Sequence, residues 1–300
     1  MDRELKDAYL YYQASLSTQP MLQIGNREWK WRAGMAEAGQ TQCLQTVPVY
    51  TNASRVELIV NGKSIGVKDV ADCTAEFNVP FVNGRNCIEA VATANGRTMH
   101  DVIYPEFSVV GKRLTQQNFP VKGLNVMLGS NRYYEDREGG VCWIPEQEYT
   151  AGSWGYVGGK PYYKGSHLGS DINIEGTEHD PIFQTQRVGI ESFKADIPDG
   201  QYSVSLYWSE LDGKKPAEAL VYNLGSSSSA QGQAHQRIFS VSINGVEMLS
   251  DDAMSRELVP ARPVVKKFIV NVSGGKGLSI DFKPTEGNAI LNAVRIYKNI

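Results

Sequence analysis

Residues 55–66, RVELIVNGKSIG, alternate apolar and polar positions up to an Asn-Gly pair and then resume in a second short apolar run. Residues 237–249, RIFSVSINGVEML, repeat the arrangement far along the chain. Strict alternation is the period of a half-buried strand. Asn-Gly tolerates the positive φ that both central positions of a type I′ turn demand. Each stretch therefore predicts a β-hairpin. Val56, Leu58 and Val60 share one face of the first, and Phe239, Val241 and Ile243 share one face of the second. An isolated hairpin is marginal in water, so each requires a second layer over its apolar face.

The remaining pattern supplies two such layers. From about residue 40 to 110 the stretches VPVYTNA, RVELIVNG, AEFNVPF, CIEAVATANG and DVIYPEFSVV are separated by turn residues. Short strands spaced roughly every 8–12 residues read as a β-sandwich. Residues 111–123, GKRLTQQNFPVKG, interrupt the pattern with Gly, Pro and polar side chains, which places a boundary there. Beyond it a loop-rich stretch leads to further alternating strands. In QYSVSLYW, Tyr202, Val204, Leu206 and Trp208 face one way and Ser203, Ser205 and Tyr207 the other, predicting one buried and one wetter face. The Ser/Gly/Gln-rich residues 224–236 have a composition that builds no core. The only long helical pattern lies in residues 3–17, where Leu5, Ala8, Tyr9, Tyr12 and Leu16 share a face. The fold class is thus all-β: two β-sandwiches with one N-terminal helix. Residues 1–20 hold the helix, 21–112 the first sandwich, 113–123 a linker and 124–300 the second sandwich.

Composition narrows the function classes. The chain of 300 residues is 41% hydrophobic and 21% charged with a net charge of −3, which suits packed cores. Lys and Arg are scattered, against nucleic acid as a partner. No apolar run is long enough for a membrane span. The charged start, MDRELKDAYL, lacks the apolar core of a signal peptide. Cys43, Cys73, Cys87 and Cys142 form no CxxC pair and have no nearby His, so neither a zinc site nor another metal or cofactor is expected. Cys73 and Cys87 flank a hairpin and could either pair or stay buried thiols.

Candidate chemistry is sparse. Glu135, Asp136 and Glu138 cluster in YYEDREGG, but a solvated loop with one buried Asp bonding backbone amides explains them better than catalysis does, and no D-x-D-x-D-G loop supports a calcium site. His179-Asp180 has no G-x-S-x-G partner. No catalytic residue is assigned. Sugar binding needs an aromatic platform for a pyranose face and a few polar groups for its hydroxyls. Residues 143–163 supply Trp143, Tyr149, Trp154, Tyr156, Tyr162 and Tyr163 in a Gly-rich stretch. Trp143 and Tyr149 read as loop plugs. Trp154, Tyr156, Tyr162 and Tyr163 remain as carbohydrate-binding candidates, with Arg187, Glu210 and Asn288 as hydrogen-bonding partners. An Arg187–Glu210 ion pair is the competing reading.

Two resemblances extend this reading. KDAYLYYQASLSTQPMLQI and VPVYTNASRVELIVNGKSIGVK resemble the region after the catalytic barrel of family 2 glycoside hydrolases, the β-galactosidase-like group. There a KDAYYFYQ helix closes the barrel and V-Y-T/S-N-A-x-x-V-E-L-x-x-N-G-x-S-L-G opens an Ig-like sandwich. YYEDREGGVCWIPEQEYTAGSWGYVGG, IFQTQRVGIESFKADIPDGQYSVSLYWSE, RIFSVSINGVEML and NAILNAVRIY resemble a malectin-like carbohydrate-binding domain, a jelly-roll sandwich. Of the sugar-contacting set in that family, one tyrosine matches Tyr156. The others fall on Val188, on Asp212 and Gly213, and at or near Asn288, so the set is mostly absent. Together the resemblances imply a non-catalytic accessory region of a glycoside hydrolase that supports the barrel and binds carbohydrate weakly. The alternative is a structural or protein-interaction module without sugar affinity. The parent protein would reach the periplasm or the cell exterior through a leader of its own, and Met1 would be a cut point in a longer chain.

Overall fold

A computed structural model describes residues 5–114, 119–120, 122–166, 169–170, 172–212, 237–251 and 257–299. The low-complexity stretch 224–236 and part of the 113–123 linker lie outside the described residues. The chain forms two compact units, Met1–Gly111 with Glu135–Cys142, and Lys112–Tyr134 with Trp143–Ile300. Residues 135–142 thus belong to the first unit although they fall inside the second block of the sequence.

In the first unit, Arg55–Val60 lies between Lys63–Asp69 and Ile88–Ala94, with Arg97–Ile103 at the far edge. Gln42–Thr51 pairs with Leu22–Ile24 and Thr74–Val82, and Glu106–Gly111 joins Trp31–Ala36 to Gly84–Arg85. The predicted hairpin forms: Val60 opposes Lys63, and Asn61 and Gly62 sit at φ 51° and 78°. Val56, Leu58 and Val60 enter a core shared with Val47, Val49, Phe77, Phe81 and Phe107. Cys73 and Cys87 remain thiols.

The helix, Asp7–Leu16, meets this unit through a face the apolar spacing did not select. Leu10 and Ala14 are buried with Met21 against Tyr50 and Cys73. Asp7 accepts hydrogen bonds from the Asn26 amide (2.7 Å) and the Tyr50 hydroxyl (3.3 Å), and Tyr11 donates to Asp72 (3.0 Å). Leu5, Tyr9, Tyr12 and Leu16 stay exposed, Tyr12 at 63%. The helix is apolar on more than one side, so its periodicity identified an apolar stripe without saying what that stripe faces.

The second unit is built from two larger sheets. One orders Leu124–Met127, Ala293–Lys298, Gly200–Trp208 and Val264–Val272, with Ile144 and Pro145 registered against Val126 and Met127. The other orders Trp154–Tyr163, Thr185–Ala195, Leu278–Glu286, Ile238–Ile243 and Val246–Leu249. The second hairpin forms as predicted, with Ile243 opposite Val246 and Asn244 and Gly245 at φ 49° and 80°. Phe239, Val241 and Ile243 are buried, as are Tyr202, Val204, Leu206 and Trp208. The expected wetter face of Gly200–Trp208 is a correction: Ser203 and Ser205 are buried too. This strand is central, and Ser205 is registered between Lys267 and Arg295, whose long stems flank so short a side chain.

The helix face is open to test. Leu10→Ala is expected to lower the stability of the first unit by about 2–4 kcal/mol, the range for a buried large-to-small change. Tyr12→Ala should cost less than about 0.5 kcal/mol, as exposed substitutions usually do. Chemical denaturation of both variants measures the difference; a larger loss for Tyr12→Ala than for Leu10→Ala would mean that the Tyr12 side of the helix is the packed one.

Candidate functional site

The aromatic-rich strand Trp154–Tyr163 pairs antiparallel with Thr185–Ala195. Trp154 opposes Ala195, Pro161 opposes Arg187 and Tyr163 opposes Thr185. A regular strand would send Tyr156 and Tyr163, an odd number of positions apart, to opposite faces. The register instead shifts between Val157 and Gly158, where a β-bulge re-aims the chain. Gly158 and Gly159 both sit at φ 72°, and a Cβ on Gly159 would stand 2.8 Å from the Ile190 nitrogen and the Val188 oxygen. Only glycine fits there. The irregularity allows Tyr156 and Tyr163 to line a single cleft of about 470 Å³ together with Ser130, Asn131, Arg132 and Glu146.

Beneath the cleft lies a buried ion pair. Arg187 donates from Nε and Nη2 to the two carboxylate oxygens of Glu146, at 2.9 and 2.5 Å. Its Nη1 donates to the carbonyl oxygens of Gly159 (2.9 Å) and Gly158 (3.3 Å). The guanidinium carbon stands 3.2 Å from the centroid of the Tyr156 ring. A two-edged Arg–carboxylate pair fixes orientation as well as charge, and a cation over an aromatic face adds about 0.5–2 kcal/mol. Arg187 therefore holds Tyr156 and Glu146 in place and has its three nitrogens engaged by the protein. One face of the Tyr156 ring is covered by this cation. Tyr163, 41% exposed, is the more open ring.

The other sequence candidates lie elsewhere. Trp154 has no exposure and is a core residue, because its register opposite Ala195 turns it inward. Trp143 is buried edge-on against Tyr207, and the Tyr149 hydroxyl donates to Asp196. Glu210 does not pair with Arg187; it accepts from Arg237 Nε at 2.5 Å and from the Asp212 amide at 2.8 Å. The Asn288 carbonyl accepts from the same Arg237, at 3.2 Å. Tyr162, on the alternate side of its strand, belongs with this second group. Burial raises its hydroxyl pKa, and the nearby Asp212 and Glu210 carboxylates raise it further. The candidates thus separate into Tyr156, Tyr163 and Arg187 at the cleft, and Tyr162, Glu210 and Asn288 away from its lining. Sequence reading missed Glu146 and the Ser130-Asn131-Arg132 loop. The polar turn after the Leu124–Met127 strand was their only visible signal.

The acidic cluster has a structural assignment. Glu135 accepts from the Lys30 and Trp31 amides (2.7 and 2.9 Å) and from Arg137 (2.9 Å). Asp136, buried, accepts from the Gly139 amide at 2.7 Å.

Comparison with known proteins gives this arrangement a family. The malectin-domain model matches residues 122–299. The chain belongs to the malectin-domain family. Its first unit matches, over residues 44–100, a family described as a domain of unknown function, DUF4982. A crystal structure of a Bacteroides uniformis β-glucuronidase is 30% identical, with a TM-score of 0.80, over 100% of this chain and 32% of that one. A calcium-binding mutant of B. uniformis β-glucuronidase 2 gives 30% identity and a TM-score of 0.81, over 100% and 33%. A Formosa agariphila protein provisionally named a β-glucuronidase is 32% identical over 102 residues, 32% of this chain and 12% of its own. The chain thus spans about a third of the solved proteins it matches, and corresponds to the C-terminal part of family 2 glycoside hydrolases. In the malectin domain of this chain, Tyr156 lines the cleft.

The ion pair predicts a definite stability pattern. Glu146→Ala leaves a buried cation without its partner and should cost about 3–5 kcal/mol. A Glu146→Leu, Arg187→Met double variant should recover most of that loss, because the charge is removed with its partner. Urea unfolding of the three proteins checks both; a single variant as stable as wild type would show that Arg187 is hydrated.

Proposed function

We propose that this chain is the non-catalytic accessory region of a glycoside hydrolase, and that the cleft of its malectin domain binds carbohydrate weakly. The observation that carries this reading is the joint placement of Tyr156 and Tyr163 beside Ser130, Asn131, Arg132 and Glu146. An aromatic ring suits the apolar face of a pyranose, and the polar groups suit its hydroxyls. One open ring and a few hydrogen bonds correspond to a dissociation constant on the order of 0.1–1 mM.

Two further observations support the accessory role. Glu135 and Asp136, the acids most suggestive of hydrolysis in the sequence, are occupied by backbone amides. The exposed apolar side of the first helix, Leu5, Tyr9, Tyr12 and Leu16, suits contact with the catalytic barrel of a parent enzyme. Among the described residues no helix is long and apolar enough to cross a membrane. Export would depend on a leader carried by the parent protein.

A second reading, a structural module without sugar affinity, draws on the cation that covers one face of Tyr156. Titration decides between them. Neutral oligosaccharides of glucose, galactose and mannose are expected to perturb tyrosine signals, with at least one binding in the millimolar range or tighter. Tyr163→Ala should weaken that binding about tenfold, a loss of about 1.4 kcal/mol. No binding at any accessible concentration, or binding indifferent to both Tyr163→Ala and Tyr156→Ala, favours the structural module. The same preparation is expected to turn over no aryl glycoside.

A further inference from the structure

The first unit carries a cleft of its own, of about 550 Å³, within the roughly 300–1,000 Å³ usual for small-ligand sites. Its walls include Arg27, Trp29, Arg32, Arg85, Tyr104 and Glu106. Two large aromatic side chains stay open here, Trp29 at 43% and Tyr104 at 51% exposure. Large exposed aromatics beside one another are uncommon on a surface that only meets water.

Of the charged side chains that line the cleft, Arg27, Lys30, Arg32 and Arg85 are basic and Glu106 is acidic. Arg85, itself exposed, lies over the Tyr104 ring with its guanidinium carbon 4.5 Å from the centroid. Arg32 is 4% exposed, and its Nε and Nη2 donate to neutral carbonyl oxygens, those of Trp29 (2.9 Å) and Asn26 (2.6 Å). Burial pushes its guanidinium down to about 10, with Glu28, Glu135 and Asp7 opposing that fall, so it remains a cation at neutral pH. Arg27 is held by Asp101 at 3.2 Å. Lys30 also lines the cleft, and Glu106 is the one acid among the described lining residues.

The backbone in this region is already occupied. The Lys30 and Trp31 amides donate to Glu135, and the Lys30 carbonyl accepts from the Glu106 amide at 2.8 Å. A peptide adding as a strand to the edge of Trp31–Ala36 would find those groups taken at its start. Recognition at the cleft therefore falls to side chains: one open indole, one phenol carrying a cation on its face, and guanidinium groups that match planar anions. We propose that this cleft binds an acidic saccharide, with the pyranose stacked on Trp29 and its carboxylate or sulfate held by the exposed Arg85. The site is separate from the malectin-domain cleft and does not rest on the activity of either.

The test titrates the full chain with oligogalacturonate, with a sulfated polysaccharide, with a neutral oligosaccharide of matching length and with polyglutamate, following tryptophan fluorescence at low and high ionic strength. One or both acidic saccharides are expected to bind, with affinity falling as salt rises; which of them binds identifies the anion. Trp29→Ala should weaken binding about tenfold or more. Arg85→Glu, a reversal at an exposed position, should abolish it at low salt. Tyr163→Ala in the other unit should leave it unchanged. Thermal melts confirm that each variant is folded, and if Trp29→Ala is not, Arg85→Glu carries the comparison. Binding that persists in folded Trp29→Ala and Arg85→Glu, equal binding of the neutral oligosaccharide or of polyglutamate, or no binding of either acidic saccharide overturns the proposal.

Discussion

The guanidinium of Arg187 donates along two edges to Glu146 and from its third nitrogen to the carbonyls of Gly158 and Gly159, with the Tyr156 ring against its face. Four parts of the second unit meet at this group: the loop that carries Glu146, the bulged turn of the aromatic strand, the strand that carries Arg187, and the Tyr156 ring. A buried cation is tolerated only when its donors are satisfied and its charge is compensated, so each contact constrains the others. Of the residues that line the cleft, Asn131 and Arg132 are exposed and Ser130 is buried.

The same logic separates platform aromatics from core aromatics. Trp154 and Tyr163 lie on one strand and look equivalent as letters. One is wholly buried opposite Ala195 and the other is open opposite Thr185. They stand at opposite ends of the strand, nine positions apart, with the register shift between Val157 and Gly158 lying between them. In the first unit, Trp29 and Tyr104 are open as well. Arg32 donates to the Trp29 carbonyl oxygen, and Arg85 lies over the Tyr104 ring.

The likeness to B. uniformis β-glucuronidase covers the whole chain at a TM-score of 0.80 but only 32% of that protein. It is a likeness of non-barrel architecture. The cleft of this chain's malectin domain is lined by aromatic and polar side chains. Glu135 and Asp136 accept from backbone amides and so tie their loop to its surroundings.

Much of the fold was legible in the residues. Both Asn-Gly hairpins, the buried faces Val56–Leu58–Val60 and Phe239–Val241–Ile243, and the inward row of Tyr202, Val204, Leu206 and Trp208 follow from period and turn chemistry, which are local. Those properties are set by neighbours in sequence, so the sequence determined them by itself. Pairing and burial across the chain are not local, and there the structure decided. It gave Arg187 to Glu146 and Glu210 to Arg237. It buried Ser203 and Ser205 by giving their strand a central place, and it packed the helix on Leu10 and Ala14. An ion pair depends on which side chains a sheet register brings within reach, and a helix face depends on what lies beneath it. Neither is encoded in the spacing of a single segment; both are consequences of how distant segments meet.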